Sequence, residues 1–387
     1  MNKNDWTMKK TKLFFAILIL LTTNLTQAQQ TLNESFLHNG VQRDYTIHIP
    51  TNYVQGNAVP LLFCFHGYTS NAGNIMFYSN FNAISDTANF IVVYPQGTLL
   101  SGSTHWNVGG WTTGSTADDI GFTEAMIDSI SADYSIDPNR VYSTGMSNGG
   151  YMSFLLACQL SSKIAAVASI TGSMTPQMYN VCNPQHPTPV LQVHGDADGT
   201  VPYNGDPTWT KSIKDVIAYW VDYNNCDTSA SINSLPNVNT GDGSTVNQFV
   251  NTNGDNCSSV EHFKVYGGDH DWPGAWGNMD MNASIEIWRF LSKYNINGLI
   301  GCSTTSTIEN EGSQINYKVY PNPFGDELTI ETNFTNAKEF NIYSVHGELL
   351  LTGQLTANVN TIDLSSLAPN VYILKAENLT VRLIKTK

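Results

Sequence analysis

The stretch VYSTGMSNGGYMSFLLACQL, residues 141–160, places a serine between a short apolar strand and a helix. Residues 141–143 are typical of a buried strand, and the apolar spacing of residues 150–160 favours a helix. Between them, residues 145–149 (GMSNG) follow the pattern Gly-x-Ser-x-Gly. The pattern alone is weak, but a strand, a sharp turn and a helix together can hold a nucleophilic serine in an exposed, strained position. We therefore predict that Ser147 is a nucleophile at a strand end.

Short apolar runs like the one before the serine recur along the chain. Each is bounded by Gly, Pro or His, as is typical of buried parallel strands. They lie at residues 61–65, 90–94, 165–168, 190–193 and 263–266. Helical spacing of apolar residues appears between them, at residues 120–130, 213–221 and 285–291. This alternation predicts an α/β fold, a mostly parallel sheet with helices on both faces.

The segment after residues 190–193 supplies a candidate carboxylate. A serine hydroxyl needs a histidine to take its proton and an acid to orient that histidine, in the order Ser, Asp or Glu, His on an α/β sheet. Asp196 and Asp198 both follow this strand, at the edge where the serine also lies. We prefer Asp198, because it lies in the loop, whereas Asp196 is placed to cap the turn.

The candidate base comes after the last predicted strand of this region. His270 follows residues 263–266 in a Gly-rich loop with flanking aromatic residues, and it has the required position in the order. A lone histidine is more often structural than catalytic. We accordingly predict that His66 and His194, which each precede Gly at a strand end, brace loops, whereas His262 lies at a strand start.

The oxyanion of an acyl-transfer reaction needs two backbone N–H donors. One is expected from the residue after the nucleophile, Asn148. The other is expected from the loop after an early strand, residues 66–69. Tyr68 is our choice for this second donor, and Thr69 remains an alternative.

Composition excludes several classes of partner. The chain has 387 residues, 41% of them hydrophobic, with a formal net charge of −14. An acidic chain has no electrostatic reason to bind nucleic acid or anionic lipid, so we predict neither. There is no CxxC pair and no histidine pair at metal-ligand spacing, and a serine triad needs no cofactor, so we predict no metal and no cofactor. The oligomeric state is left open.

The N-terminus has the features of a secretory signal peptide. Three lysines between residues 9 and 12 precede an apolar run at residues 13–21, and small residues precede a cleavage position after Ala28. The alternative is a membrane anchor, but nine apolar residues are too few for a hydrocarbon core of about 30 Å. We predict a signal peptide at residues 1–28.

Six cysteines in an exported chain allow disulfide bonds. The predicted pairs bracket a helix–strand–loop segment and an Asn/Ser/Gly-rich insert, and they are Cys158–Cys182 and Cys226–Cys257. Cys64 lies in an apolar strand and is expected to be a buried thiol. Cys302 lies in a predicted linker, and its pairing is left open.

The pattern changes near residue 300. Residues 297–315 are rich in Ser, Thr, Asn and Gly and indicate a linker between a domain at 29–296 and a second domain at 316–387. In the second domain, short alternating runs recur at spacings of about ten residues, which predicts a small all-β sandwich. They lie at residues 328–330, 340–343, 349–351 and 371–374.

Several ordered motifs resemble one family. They are HG at 66–67, WN at 106–107, DDIGF at 118–122, GMSNGG at 145–150, HGDADGTVP at 194–202 and GDHDWPG at 268–274. Over residues 38–294 the chain resembles the secreted polyhydroxybutyrate depolymerase and feruloyl or acetylxylan esterase family (carbohydrate esterase family one). The resemblance implies an α/β-hydrolase fold and a triad of Ser147, Asp198 and His270. The chain departs from the family at Asp269, where glycine is usual, and at Tyr68.

The C-terminal segment resembles a second family. The motifs are VYPNPF at 319–324, IY at 342–343 with Gly347, and a Leu-x-x-Leu pattern at 364–367 before Tyr372. Over residues 316–387 the chain resembles the sorting domain of the type IX secretion system. This resemblance implies a secreted or cell-surface protein, exported through the periplasm and outer membrane by that machinery. The alternative is a carbohydrate-binding β-sandwich, although few aromatic residues are present for a sugar platform.

Together these patterns predict a secreted serine esterase that acts on feruloyl or acetyl esters of plant or algal polysaccharide. One alternative is an extracellular polyhydroxybutyrate depolymerase, and another is a non-catalytic surface binding protein on a hydrolase scaffold. Trp106, Trp111, Trp272 and Trp276 lie near the motifs and are our candidates for substrate stacking, with rim packing as the alternative.

Overall fold

The computed structural model describes residues 30–302, 318–322, 324–332, 336–344, 348–376 and 379–386. The chain divides into two compact units, residues 1–304 and 305–387. The predicted signal peptide and most of the predicted linker lie outside the described residues.

The first unit alternates strands and helices, as its apolar runs predict. Its strands are β1 (Gln30–His38), β2 (Val41–Ile49), β3 (Val59–Phe65), β4 (Ile91–Pro95), β5 (Thr98–Leu100), β6 (Ser103–His105), β7 (Ile136–Met146), β8 (Ala166–Ile170), β9 (Val190–Gly195), β10 (Ser231–Ser234), β11 (Thr245–Asn251), β12 (Val260–Tyr266), β13 (Tyr294–Asn295) and β14 (Gly298–Leu299). Its α-helices are α1 (Ala72–Ser79), α2 (Phe81–Ala88), α3 (Asp119–Asp133), α4 (Asn148–Gln159), α5 (Pro176–Val181), α6 (Ile213–Tyr223) and α7 (Ala283–Leu291).

One ten-stranded sheet organises this unit, in the order β1-β2-β4-β3-β7-β8-β9-β12-β11-β10. The six strands from β4 to β12 in this order pair in parallel. The outer strands β1, β2, β11 and β10 pair antiparallel. Because parallel strands end at the same edge, the loops after β3, β7, β9 and β12 meet along one rim.

Two apolar clusters cover the two faces of the sheet. Alternate residues of β3 point to opposite faces, so Leu61 and Phe63 pack in one cluster and Leu62 and Cys64 in the other. Helices α3, α4 and α6 contribute to the first cluster, and α1, α2 and α7 contribute to the second. The predicted α/β-hydrolase architecture, a mostly parallel sheet with helices on both faces, is confirmed.

The antiparallel edge strands and the short helices α1, α2 and α5 do not follow from the sequence patterns. Strand β10 reads SINS and is exposed at every position, and β11 has two buried residues among seven. Edge strands carry polar residues because only part of their surface is covered, so they lack the continuous apolar run of a central strand.

The disulfides correct one of the two predicted pairs. Cys158 is joined to Cys182, as the sequence predicts. Cys257 is joined to Cys302, whereas Cys226 is a free, buried thiol near the end of α6, so the predicted Cys226–Cys257 pair is wrong. Burial raises the pKa of the Cys226 thiol. Cys64, expected to be a buried thiol, is free and buried.

The chain after α7 folds back on this unit and explains the pairing of Cys302. Strand β14 pairs with β13, and Gly298 approaches Asn256 so closely that an added Cβ would lie 2.2 Å from the Asn256 carbonyl oxygen. This return brings the segment ending at Cys302 beside Cys257. The unit therefore continues past residue 296, and residues 297–302 are not a linker, which corrects the predicted boundary.

The second unit consists of antiparallel strands. They are β15 (Lys318–Tyr320), β16 (Glu327–Glu331), β17 (Lys338–Ser344), β18 (Leu349–Leu355), β19 (Val359–Asp363), β20 (Val371–Ala376) and β21 (Leu379–Ile384). They form a three-stranded sheet, β15-β16-β19, and a four-stranded sheet, β18-β17-β20-β21. Residues of both sheets, such as Leu328 and Ile342, share one core cluster, as the all-β prediction requires.

Within the part of the chain that the structure describes, no helix combines the length and the apolar character needed to cross a membrane.

We predict that Cys302→Ser lowers the free energy of unfolding by about 2–4 kcal/mol, because the bond closes a loop across a sequence separation of 45 residues. Urea denaturation under oxidising conditions measures this loss, and the difference from the wild type should vanish in a strong reductant. Peptide mass spectrometry without reduction should recover Cys257 linked to Cys302. A peptide linking Cys226 to Cys257 would contradict this pairing.

Candidate active site

Ser147 occupies the sharp turn between β7 and α4. Its backbone has φ 54° and ψ −120°, a positive-φ conformation that is strained for a residue with a side chain. The Ser147 N–H donates to the carbonyl oxygen of Ile170 at the end of β8, 2.8 Å away. The turn is thus tied to the neighbouring strand, and the hydroxyl group is placed at the N-terminus of α4, where negative charge is favoured.

The glycines of the motif are required by close packing beneath the serine. A Cβ on Gly149 would lie 2.0 Å from the carbonyl oxygen of Phe65 at the end of β3, and one on Gly145 would lie 2.6 Å from Gly149. Both distances are far below van der Waals contact. The backbone of α4 therefore approaches β3 as closely as it does only because these positions carry no side chain.

Asp198 lies in the loop after β9, and its side chain is fully buried. Its Oδ1 atom accepts hydrogen bonds from the N–H groups of Thr200 and Val201, both at 2.8 Å. Its Oδ2 atom accepts from His270 Nδ1 at 2.8 Å. Burial alone would raise the pKa of this carboxyl, but the hydrogen bonds from His194 and His270 outweigh it and hold the pKa well below the ordinary value.

His270 lies in the loop after β12, with its ring 19% exposed. Because Nδ1 donates to a carboxylate, Nε2 carries the free lone pair of the neutral ring. The backbone N–H of His270 donates to Asp269 Oδ1 at 2.8 Å, and the same oxygen accepts from Gly199 N at 3.1 Å. Asp269, the residue that departs from the family pattern, thus joins the loop of Asp198 to the loop of His270.

A second histidine contacts the same carboxylate. His194 Nε2 lies 3.2 Å from Asp198 Oδ2 and 2.8 Å from the carbonyl oxygen of Val201. Its Nδ1 atom lies 3.0 Å from Gln192 Nε2, an amide N–H donor, so the proton of the neutral ring is on Nε2. The sequence predicts that His194 braces a loop, but it does not show that the ring contacts the candidate acid. The spacing of four residues between His194 and Asp198 is the one sequence feature that could have indicated this contact.

Asp196 faces away from His270. Its Oδ1 atom accepts from the Gly267 N–H at 2.7 Å, and its Oδ2 atom lies 3.2 Å from Lys264 Nζ. It therefore binds the turn that follows β12, much as a cap would. Of the two candidate carboxylates, the structure brings Asp198 to the histidine.

The three predicted catalytic residues follow strands of the parallel core. Ser147 follows β7, Asp198 follows β9 and His270 follows β12, and the order of these strands in the sheet is β7-β8-β9-β12. All three residues therefore lie on the rim formed by the carboxyl ends of the strands.

Two backbone N–H groups near Ser147 have no acceptor within residues 30–302. One is that of Asn148, in the first turn of α4, where helical N–H groups have no intrahelical partner. The other is that of Tyr68, whereas the Thr69 N–H donates to the Thr104 carbonyl oxygen at 2.9 Å. Of the two candidates in this loop, only Tyr68 has a free donor.

His66 holds the loop that carries Tyr68. Its Nε2 accepts from the Gly97 N–H at 3.0 Å, and its Nδ1 donates to the Gly67 carbonyl oxygen at 2.7 Å. Burial lowers the pKa of the ring to about 4, so the imidazole stays neutral. His66 is therefore structural, as the sequence predicts, and so is the buried His262, whose pKa burial lowers to about 3.

Two of the four candidate stacking residues are buried, whereas Trp276 is 36% exposed. Trp106 and Trp272 are 0% and 1% exposed, and their indole N–H groups donate to His66 O and Ser284 Oγ. These rings support the walls of the site and offer no face to a substrate, so the stacking prediction is corrected for both. Trp111 is half-buried between Tyr68 and Tyr151, with centroid distances of 5.7 and 6.0 Å.

Trp106 instead fixes Asn148. The Asn148 Oδ1 atom accepts from the Trp106 N–H at 2.7 Å, and its Nδ2 donates to the Trp106 carbonyl oxygen at 3.1 Å. This side chain therefore locks the residue whose backbone N–H borders Ser147. Among the described residues, no group of three or more His, Cys, Asp or Glu is arranged to hold a metal ion.

Two protein families match this chain. Residues 44–182 match the family described as Esterase PHB depolymerase, and residues 318–386 match the secretion system C-terminal sorting domain. The first match includes Ser147 and ends before Asp198 and His270. The second match marks the chain for type IX secretion, with an extracellular or cell-surface location.

Curated relatives are similar over most of the first unit. The bifunctional acetylxylan esterase/xylanase XynS20E of Neocallimastix patriciarum is 26% identical over 278 residues, 71% of this chain and 36% of that protein. Feruloyl esterase D of Neurospora crassa is 28% identical over 272 residues, 66% of this chain and 84% of that protein. The chain thus spans only about a third of the first relative.

A solved acetyl xylan esterase from Aspergillus awamori superposes with a TM-score of 0.49 at 15% sequence identity, over 67% of this chain and 99% of that one.

We predict that the stabilising effect of Asp198 disappears in acid. Its folded-state pKa lies below the unfolded value of about 3.9, so the contribution is present above that pH and is lost as the pH falls towards the folded pKa. The difference in unfolding free energy between wild type and Asp198→Asn should therefore shrink as the pH falls below about 4. Chemical denaturation over this range measures it.

Asp196→Asn is the matched control, since Asp196 lies in the same segment with a partly exposed carboxylate. The difference in unfolding free energy between Asp196→Asn and the wild type should change much less over the same pH range. If the difference in unfolding free energy between Asp198→Asn and the wild type stays constant with pH, Asp198 is not an ionised, hydrogen-bonded carboxylate in the folded protein.

Proposed function

Because the chain carries a domain of the Esterase PHB depolymerase family, we propose that it is a secreted serine esterase that hydrolyses feruloyl or acetyl esters of a plant or algal polysaccharide. The observation that carries the proposal is the 2.8 Å hydrogen bond from His270 to the buried carboxylate of Asp198, on the rim where Ser147 occupies a strained turn. The names of the relatives, acetylxylan esterase and feruloyl esterase, support the ester class.

In the first half-reaction, His270 Nε2 accepts the Ser147 hydroxyl proton while the serine oxygen attacks the ester carbonyl carbon. The imidazolium that forms is stabilised by the ionised Asp198, which stays unprotonated throughout. The low pKa of Asp198 suits this role, because the carboxylate remains charged at any pH where His270 can act as a base.

The tetrahedral intermediate carries a negative charge on the former carbonyl oxygen. The N–H groups of Asn148 and Tyr68 are the donors that we assign to it. Both are backbone groups held in place beforehand, Asn148 by Trp106 and the Tyr68 loop by His66. Donors that need no reorganisation stabilise the intermediate most effectively.

The intermediate then collapses. His270 donates its proton to the leaving sugar hydroxyl oxygen, and the acyl group stays on Ser147 as an ester. Water next attacks that ester with His270 again as base, which releases the carboxylic acid and restores the serine.

A second candidate is an extracellular polyhydroxybutyrate depolymerase, favoured by the description of the matched family. It would use the same residues on a polyester chain. We further propose that a signal peptide at residues 1–28 directs the chain to the periplasm, that the sorting domain directs it across the outer membrane, and that this domain is then removed.

We predict that Ser147→Ala abolishes hydrolysis of a short nitrophenyl ester and labelling by a fluorophosphonate, because both need the serine oxygen. Thermal unfolding should show a folded variant. The matched control is Ser143→Ala. It removes a buried hydroxyl of β7 that donates to Ser153 Oγ in α4, and it should keep both signals.

Wild-type protein that neither hydrolyses the ester nor reacts with the fluorophosphonate would be a non-catalytic binding protein on this scaffold. Retained activity in Ser147→Ala would likewise contradict the proposal. Product assays on feruloylated xylan, acetylated xylan and polyhydroxybutyrate film distinguish the two substrate classes.

We predict that His194 positions Asp198, with an effect on turnover and little on binding. His194→Leu removes one N–H donor of the carboxylate and should lower kcat about tenfold or more, an increase of about 1.4 kcal/mol in the barrier, while KM changes little. His194→Gln keeps a side-chain N–H and should restore part of kcat. Equal kcat in both variants would contradict a positioning role.

A further inference from the structure

A cavity opens beside the loop that carries His270. It has a volume of about 660 Å³ and lies between the end of α1, the start of α2, the segment after His270 and the start of α7. We call it the aromatic cleft. Its walls are formed by Met76, Phe77, Tyr78, Ser79, Asn80, Asn82, Trp272, Pro273, Gly274, Ala275, Trp276, Asn282 and Ser284.

The aromatic cleft exposes rings that the fold does not need for its core. Phe77 is 86% exposed on the last turn of α1, and Trp276 is 36% exposed. Tyr78 and Trp276 meet at an angle of 88° with ring centroids 4.7 Å apart, so the two rings form a corner. Exposed apolar rings concentrated in one cavity are typical of a binding surface.

A buried layer holds this corner rigid. Trp272 packs against Tyr78 with a centroid distance of 5.3 Å and against Phe81 at 6.4 Å. Its indole N–H donates to Ser284 Oγ at 3.0 Å, which fixes the ring to α7. A surface held in place before binding loses little conformational freedom when a ligand arrives.

The polar side chains of the aromatic cleft are neutral amides and hydroxyls. Asn82 Oδ1 accepts from the Tyr94 hydroxyl, and Asn282 Oδ1 accepts from the Ile285 N–H, which leaves each Nδ2 group to face a ligand. Asn80 lies between α1 and α2 in a left-handed conformation, with an exposed side chain. None of the residues that line the cleft carries a charge.

We propose that the aromatic cleft binds the neutral sugar chain of the polysaccharide beside the ester that is cleaved. A sugar ring has an apolar C–H face that packs on aromatic rings, and it has hydroxyl groups that both donate to and accept from amides. A sugar hydroxyl can pair with both the donor and the acceptor of the exposed Asn80 amide, whereas a polyester repeat has only acceptors. A polyanionic polysaccharide would need cations that these walls lack. Trp272 in the cleft wall follows His270 by two residues, and the proposal therefore places the bound chain alongside the loop that carries His270.

This inference rests on the proposed function, because it places the bound chain next to the ester that Ser147 attacks. It adds to that function the residues that select the polymer. Phe77, Trp276 and Asn80 take no part in the proposed chemistry, so their effects on binding can be separated from effects on catalysis.

The test uses the full chain and the variants Phe77→Ala, Trp276→Ala and the double variant. We expect kcat/KM on acetylated xylan to fall about tenfold in the double variant, while kcat/KM on a nitrophenyl acetate stays unchanged. Affinity electrophoresis with neutral deacetylated xylan should show retardation of the wild type and its loss in the variants. Met279→Ala is the matched control, since Met279 is 43% exposed near Trp276 and does not line the cleft.

The outcomes separate the two proposals. Unchanged kcat/KM on acetylated xylan and unchanged retardation in the double variant would overturn the cleft proposal. An equal loss of kcat/KM on nitrophenyl acetate would also overturn it, because the rings would then only support the His270 loop. Lost adsorption to polyhydroxybutyrate film with intact xylan binding would overturn it in favour of a polyester surface. A wild type that hydrolyses no ester but binds xylan through these residues would refute the proposed function and leave the sugar site standing.

Discussion

The carboxylate of Asp198 is the group on which the arrangement of the rim depends. A charged side chain can be fully buried only when neighbouring donors replace the water that it loses. Asp198 meets this requirement with two backbone N–H groups of its own loop and with the rings of His194 and His270. The loop after β9, the strand β9 itself and the loop after β12 are therefore fixed by one buried charge. A shift in any of them would leave that charge without a partner.

The turn at Ser147 is the second constraint, and it is steric. The strained, positive-φ backbone of Ser147 is held because its N–H donates to the end of β8 and because two glycines let α4 approach β3. The strain is local, and the surrounding sheet supports it. The first N–H groups of α4 have no intrahelical partner and lie beside the hydroxyl. One turn thus presents both the candidate nucleophile and a candidate donor for the oxyanion.

The sequence could predict the parts of this molecule that depend on local pattern. Central strands are continuous apolar runs, and the order Ser147, Asp198, His270 follows from strand ends meeting at one edge. It could not predict contacts made by distant segments. Cys302 meets Cys257 only because the chain after α7 folds back, and β10 is too polar to be recognised as a strand. Tryptophans near motifs were assigned to a substrate, yet Trp106 and Trp272 are buried, since position along the chain does not reveal exposure.

The loop after β12 links the candidate site to the aromatic cleft. His270 and Trp276 are six residues apart, and the segment between them is held tightly: the Trp276 N–H donates to the Trp272 carbonyl oxygen, and Ala283 N–H donates to that of Pro273. At its other end, Asp269 joins the His270 backbone to Gly199 beside Asp198. A chain bound against Trp276 would therefore contact the segment that continues from His270, the proposed base. The position of an ester along the bound chain, and not only the contacts of its acyl group, would then determine whether that ester reaches Ser147.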